Sequence, residues 1–193
     1  MKKGYLAGIL LLIFIVLALT YERLNKLDAL GHTVFYGNTF FEAFYVLGNT
    51  KTVTIIGFIV LIWQLIIRNR RGAILVLLSV AGATVINQLL KNVFERPRPE
   101  MINQLESFSF PSGHSMMSVG YLILLAYLVI QHISRSYLKQ FIFGLALLLV
   151  VCIGASRIAQ GHHYLTDILA GWSLAGAWVI VCILWYEKKL GRK

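Results

Sequence analysis

Charge is scarce in this chain of 193 residues: 13% are Asp, Glu, Lys or Arg, and 58% are hydrophobic. Soluble domains carry about a quarter of their residues as charges, so the balance excludes that class and indicates a membrane protein. Acids are the rarer sign, eight against eighteen basic residues. Proline is confined to Pro97, Pro99 and Pro111, which fall in one segment between two apolar runs. Cys152 and Cys182 both lie inside apolar runs, where cysteine is a small core residue. That placement excludes a disulfide framework and lends nothing to a metal site. No internal repeat and no soluble module are visible.

Long apolar runs are present: 4–20, 52–67, 73–90, 115–130, 141–155 and 168–186. Most approach the roughly 20 residues needed to cross a ~30 Å hydrocarbon core. The shortest, 141–155, takes its length from its flanks. The expected fold class is all-α: one integral-membrane domain over 1–193, a bundle of six transmembrane helices with a short interfacial helix in the first outer loop. Met1-Lys2-Lys3 and the apolar run after it imitate a signal peptide. The run is too long for that, and Ala18-Leu19-Thr20 is a poor cleavage site, so it is read as a retained first helix. Gly4 and Gly8 form a small-xxx-small pair suited to close helix contact.

The formal net charge of +10 is placed as a membrane, not a nucleic acid, would require. With the N-terminus inside, the inner segments hold Lys2, Lys3, Arg68, Arg70, Arg71, Arg135, Lys139, Lys188, Lys189, Arg192 and Lys193 against one acid, Glu187. The outer segments balance basic and acidic residues. This positive-inside bias puts both termini in the cytoplasm of a bacterial-type cell membrane and the chemistry on the other face.

The first outer segment, 21–51, is too polar to span and is divided by Gly31, Gly37 and Gly48. Phe40, Phe41, Phe44 and Tyr45 recur with helical spacing. They suit a helix lying in the headgroup layer, either a belt anchor or a lid beside a lipid-accessible site. The second outer segment, 91–113, is a proline-stiffened loop. The third, 156–165, is very short and continues into the last helix.

Three stretches hold nearly all the chemistry. In Ser156-Arg157-x5-His163-x3-Asp167, the spacing places His163 and Asp167 on one helix face. The carboxylate can then fix the imidazole tautomer and leave the other nitrogen free to attack. His162 falls off that face and belongs to the outer rim. In Pro111-Ser112-Gly113-His114, Ser112 is a good N-cap and Gly113 allows close backbone approach, so the helix start makes an anion site. His114 stands at its edge and could protonate a leaving alkoxide. In Lys91-x6-Arg98-Pro99, a lysine point charge and an arginine fork suit phosphate oxygens. Arg96 is read as a basic residue snorkelling to the interface. Lys91, Arg98 and Arg157 could converge on one dianion, so that guanidinium and ammonium groups do the work of a divalent ion.

These motifs, K-x6-R-P, P-S-G-H and S-R-x5-H-x3-D in order, resemble those of the type-2 phosphatidic acid phosphatase superfamily of membrane lipid phosphatases. The resemblance covers about residues 50 to 185. It implies that His163 is the nucleophile, forming a phosphohistidine, that Asp167 orients it and that His114 protonates the leaving group. Lys91, Arg98, Ser112, Gly113 and Arg157 would bind the phosphoryl oxygens, with no cofactor and no metal. Arg96-Pro97 and Arg98-Pro99 offer two R-P pairs, and the x6 spacing selects Arg98. The motif set is also similar to that of vanadium haloperoxidases, which are soluble.

Within the superfamily, a short chain without an added domain is similar to the bacterial phosphatidylglycerophosphatase B group. That implies hydrolysis of phosphatidylglycerophosphate to phosphatidylglycerol, with undecaprenyl pyrophosphate as the alternative and phosphatidic acid behind both. Partners would be the phospholipid or polyprenyl phosphate substrate and membrane lipids, with no nucleic acid and no obligate protein partner. A rival from another class is a lipid-phosphate binder or transporter that does not hydrolyse. The three cations would serve either, but simple binding does not need His163, Asp167 and His114.

Overall fold

The computed structural model describes residues 2–100 and 106–189. Part of the second outer segment, 101–105, and the basic residues Arg192 and Lys193 therefore lie outside the described residues. The helices are α1 (Lys2–Thr20), a 3-10 turn (Tyr21–Arg23), α2 (Asn25–Phe35), α3 (Thr39–Glu42), α4 (Tyr45–Gly48), α5 (Thr50–Ile66), α6 (Arg70–Phe94), α7 (Gly113–Ser118), a π-helical stretch (Val119–Ile123), α8 (Leu124–Ile130), α9 (Ser136–Ala159) and α10 (Leu165–Lys189). No strand occurs among the described residues.

Five spans are long and apolar enough to cross a membrane, α7 to α8 counting as one. A sixth results if Thr39–Gly48 and Thr50–Ile66, bent by 49°, are one broken span. Large apolar side chains such as Leu19, Ile66, Val93 and Phe58 stay exposed around the bundle. Water would penalise that surface, whereas lipid accepts it, and helices satisfy their backbone groups internally. The chain is a multi-pass membrane protein.

Asparagine and serine caps set where the helices start. Asn49 accepts from the Thr52 amide at 2.8 Å and Asn69 from the Gly72 amide at 2.9 Å. Each such cap stabilises by roughly 1 kcal/mol. The last helix, α10, packs against α1, α2, α6, α7 and α9. Small residues allow this. A Cβ on Gly171 would meet the Ser112 carbonyl oxygen at 2.9 Å, and one on Gly154 would strike the Trp172 ring. A Cβ on Gly4 or Gly8 would meet nothing within 4 Å among the described residues, so neither marks the close helix contact expected there. In the π-helical stretch, Ser79 Oγ donates to the Gly120 carbonyl at 2.9 Å, tying α6 to α7–α8.

The first outer segment differs from expectation. Gly31 lies inside α2 because any larger side chain would strike Leu165: a Cβ on Gly31 would stand 2.7 Å from that of Leu165. Phe40, Phe41, Phe44 and Tyr45 do not share one continuous helix: they are divided between α3, α4 and the turn joining them. The segment folds inward over the bundle. The Gly37 amide donates to the Ala159 carbonyl at 2.9 Å, and a Cβ on Gly48 would reach Ile153 and His114. It therefore walls one end of the bundle.

Candidate active site

The three chemical stretches meet at that walled end, where α6 and α9 finish and α7 and α10 begin. His163 does not stand on α10. It precedes the helix in the 160–164 turn, which Gly161 makes possible with φ of +67°. The pair with Asp167 nonetheless forms, by a capping geometry instead of a shared helix face. Asp167 is the third residue of α10, and its Oδ2 accepts from the Tyr164 amide at 2.9 Å and meets His163 Nδ1 at 3.2 Å. The Ser109 hydroxyl also donates to Oδ2. Asp167 is fully buried and His163 is 3% exposed.

The other imidazole nitrogen faces Arg98. Arg98 Nη1 lies 3.1 Å from His163 Nε2 and donates to the His162 carbonyl at 2.7 Å. Its Nε donates to the Ser107 carbonyl at 2.6 Å. A guanidinium has no acceptor, so Nε2 carries the lone pair and Nδ1 the proton that Asp167 receives. Burial, then the charges of Arg98, Arg157 and Lys91, hold the His163 pKa well below the ordinary histidine range. The imidazole is therefore neutral, with its tautomer set from both sides. His162 is half-buried, with its pKa pulled down to about 4 by burial, Arg157 and Arg98. The carboxylate of Asp167 is taken up by other donors.

Lys91, Arg98 and Arg157 are all buried and all act on His163. Lys91 Nζ donates to the Phe108 carbonyl at 2.6 Å, which uses one of its three donors. Arg157 Nη1 donates to Gln160, and Arg157 Nε is buried with no hydrogen-bond partner among the described residues. Such a donor is costly unless an acceptor arrives. Three cations beside neutral histidines repel a divalent metal and attract an anion.

Ser112 caps α7 with φ of −66° and ψ of 119°, its hydroxyl accepting from Ser115 at 3.4 Å. Its amide is spent on the Asp167 carbonyl at 3.1 Å, so the anion-facing amides of this helix start are those of Gly113 and His114. Gly113 fits closely: a Cβ there would stand 3.0 Å from Asn87 Oδ1. His114 lies half-buried beside Gly48 of α4.

The sequence reading missed several residues here. Asn87, one turn before Lys91 on α6, donates to the Pro111 carbonyl at 2.9 Å and fixes the loop. Phe110 is fully buried, with ring centroids of Tyr21 at 5.0 Å and Phe94 at 4.9 Å, and anchors Ser109 beneath Asp167. Arg96 does not snorkel: it is 7% exposed and donates to Asp167 Oδ1 at 2.6 Å and Asp28 Oδ2 at 2.8 Å. Pro97 and Pro99 bias Arg96 and Arg98 away from helix. The two guanidiniums then diverge, Arg96 to Asp167 Oδ1 and Arg98 to His163 Nε2. A cavity of about 750 Å³ opens beside His163 between α2 and residues 94–99.

Comparison with known proteins identifies relatives of the chain as a whole. The family model of the PAP2 superfamily matches residues 72–190. A curated relative, phosphatidylglycerophosphatase B of Bacillus subtilis (strain 168), is 34% identical over 128 residues, 65% of this chain. That match spans 63% of the relative's length. The undecaprenyl-diphosphatase of Sulfolobus acidocaldarius is 26% identical over 92% of this chain and 89% of its own. Among solved structures, a transmembrane PAP2-type phosphatidylglycerolphosphate phosphatase from Bacillus subtilis superposes with a TM-score of 0.86, at 26% identity over 95% of this chain and 97% of that one. Aquifex aeolicus LpxE superposes with a TM-score of 0.61, at 26% identity over 84% and 93%.

Proposed function

This chain belongs to the PAP2 superfamily, and from that premise we propose that it is a membrane lipid phosphatase working through a phosphohistidine on His163. One observation carries the reading: a buried, neutral imidazole with Asp167 at Nδ1, Arg98 at Nε2, and Arg157 and Lys91 near enough for their charges to act on it. Lys91, Arg98, Arg157 and the amides of Gly113 and His114, at the helix start that Ser112 caps, hold the phosphoryl oxygens. Nε2 attacks phosphorus, a P–N bond forms and the P–O bond to the lipid breaks. His114 gives its proton to the leaving oxygen, and the bound dianion among the cations supports the charged form of His114. Water then attacks the phosphohistidine, His114 takes a proton from it, and inorganic phosphate leaves. Charge developing on phosphorus is met by guanidinium, ammonium and amide donors. Positioned donors of this kind are each worth about 10²–10³ in rate.

The preferred substrate is phosphatidylglycerophosphate, giving phosphatidylglycerol, as the names of the two Bacillus subtilis relatives suggest. Undecaprenyl pyrophosphate is the second reading, supported by a relative that aligns over nearly the whole chain. The basic inner segments support cytoplasmic termini and a site on the extracytoplasmic face. The test is inorganic phosphate release by purified protein in detergent and EDTA, with phosphatidylglycerophosphate, undecaprenyl pyrophosphate and phosphatidic acid side by side. Fastest turnover of the first supports the preferred substrate. Failure to hydrolyse any lipid phosphate would return the chain to the binder or transporter class.

A further inference from the structure

Arg96 joins two carboxylates that come from distant parts of the chain. Its Nη2 donates to Asp28 Oδ2 at 2.8 Å, and its Nη1 donates to Asp167 Oδ1 at 2.6 Å and Thr166 Oγ1 at 2.7 Å. The guanidinium is also held between two rings, 4.6 Å from the Tyr21 centroid and 4.1 Å from that of Tyr164. Asp28 completes the set. Its Oδ1 accepts from the Thr166 amide at 2.8 Å and its Oδ2 from the Thr166 hydroxyl at 3.0 Å, at the positive end of α10. Asp28, Arg96 and Asp167 are all buried. A buried trio of this kind is tolerated only when its hydrogen bonds are satisfied.

We propose that Asp28 and Arg96 are positioning residues for His163, acting through Asp167 and not by binding the phosphoryl group. The proposal rests on the phosphatase reading. Asp28 holds Arg96, Arg96 holds Oδ1 of Asp167, and Oδ2 is thereby aimed at Nδ1 of His163. Charge is the second half of the argument. As Nε2 bonds to phosphorus, the imidazole becomes cationic, and a carboxylate at Nδ1 offsets that charge. Arg96 paired with Asp167 alone would cancel it. Asp28 shares the guanidinium, so the trio keeps a net negative charge on the side of the ring away from Lys91, Arg98 and Arg157. Because Asp28 comes from α2, docking of the first outer segment is part of the nucleophile's geometry.

The test uses full-length protein in detergent with a lipid phosphate substrate, comparing wild type with Asp28→Asn, Arg96→Lys, Thr166→Val, Arg98→Lys and His163→Ala. Asp28→Asn keeps the shape and removes the charge. Arg96→Lys keeps the charge, but one ammonium cannot serve both carboxylates and stack between two rings. Each should lower kcat by about tenfold or more, as loss of an outer orienting partner does elsewhere. KM and the inhibition constant for inorganic phosphate should stay unchanged, whereas a merely loosened fold would weaken phosphate binding as well. Thr166→Val, which removes only the hydroxyl, should act in the same direction to a smaller extent, and decides the matter if the other two variants fail to fold. Arg98→Lys, which disturbs both the phosphate site and Nε2, should raise KM as well as lower kcat, so that a loss confined to kcat is recognisable. Wild-type kcat in the folded variants, or loss through KM alone, would overturn the proposal. An active His163→Ala would instead overturn the phosphohistidine reading on which it rests. An inactive His163→Ala beside wild-type Asp28→Asn and Arg96→Lys would remove this inference and leave that reading standing.

Discussion

Arg98 donates to Nε2 of His163, the nitrogen to which the proposed mechanism gives the attack, at 3.1 Å. The contact fixes the lone pair on Nε2 and the proton on Nδ1, and it puts a phosphate-binding fork one hydrogen bond away from the reacting atom. Binding and activation are thus built from the same two side chains. Arg98→Lys keeps a positive charge but loses the fork. It should raise KM about 10- to 100-fold by disturbing the charge-assisted donors held at the proposed phosphate site. Steady-state kinetics on mixed micelles measures this, and an unchanged KM would remove Arg98 from the phosphate site.

Asp167→Asn is expected to be far worse for turnover than for binding. An amide in place of the carboxylate presents the wrong charge to Nδ1 and weakens the tautomer. In a comparable orienter–base arrangement that change costs about 10⁴ in kcat. Pre-steady-state phosphate release should show slow chemistry with KM near the wild-type value.

The pH profile follows from the sign of the shift on His163. Attack needs the neutral ring, and burial with three neighbouring cations keeps its pKa well below 6.5 in the folded protein. Protonation, and the acid-side loss of kcat/KM, therefore begins below pH 6.5, and activity is retained where an ordinary histidine would already be half charged. In the proposed mechanism the proton on His114 is present only while the bound dianion is there to support it, and its loss from that complex would give kcat an alkaline limb. His114→Ala should flatten the alkaline side for lipid substrates. A profile from about pH 5 to 9 that is flat in the wild type, with chemistry rate-limiting, would count against the pair.

Much of this was legible in the sequence, for a physical reason. Apolar runs report spans because lipid tolerates little else, and the residues touching a phosphate must be cations, histidines or helix-start amides. The short spacings also survive the change of local structure. His163 and Asp167 meet across a cap, although the helix face expected for them does not exist. Asp28 and Arg96 were not legible. Their partnership closes between residues 28, 96 and 167, and no local periodicity encodes a contact of that separation. Arg96 also looks like any interfacial basic residue until its burial is known. Only its place two residues before Arg98, in a proline-stiffened repeat, hinted that two guanidiniums would diverge around one histidine. The segment 21–51 was opaque because its glycines read as breaks, whereas Gly31 and Gly48 mark close approaches to Leu165 and to His114 with Ile153.

Asn87 sits outside the motifs yet holds the Pro111 carbonyl at 2.9 Å. Asn87→Ala should leave that buried carbonyl unpaired and destabilise the protein by about 1–3 kcal/mol. The drop should appear in thermal unfolding in detergent, with kcat falling as the Ser112–Gly113 start loosens. An unchanged melting temperature would mean that Pro111 is held by its other contacts.

The most direct measurement is capture of the covalent intermediate. Protein mixed with a lipid carrying a labelled terminal phosphate, quenched in alkali within the first turnover and digested, should yield label on the peptide containing His163. The label should vanish in His163→Ala and persist in EDTA. Label on His114 instead, or a burst of free phosphate with no labelled protein, would contradict attack by His163.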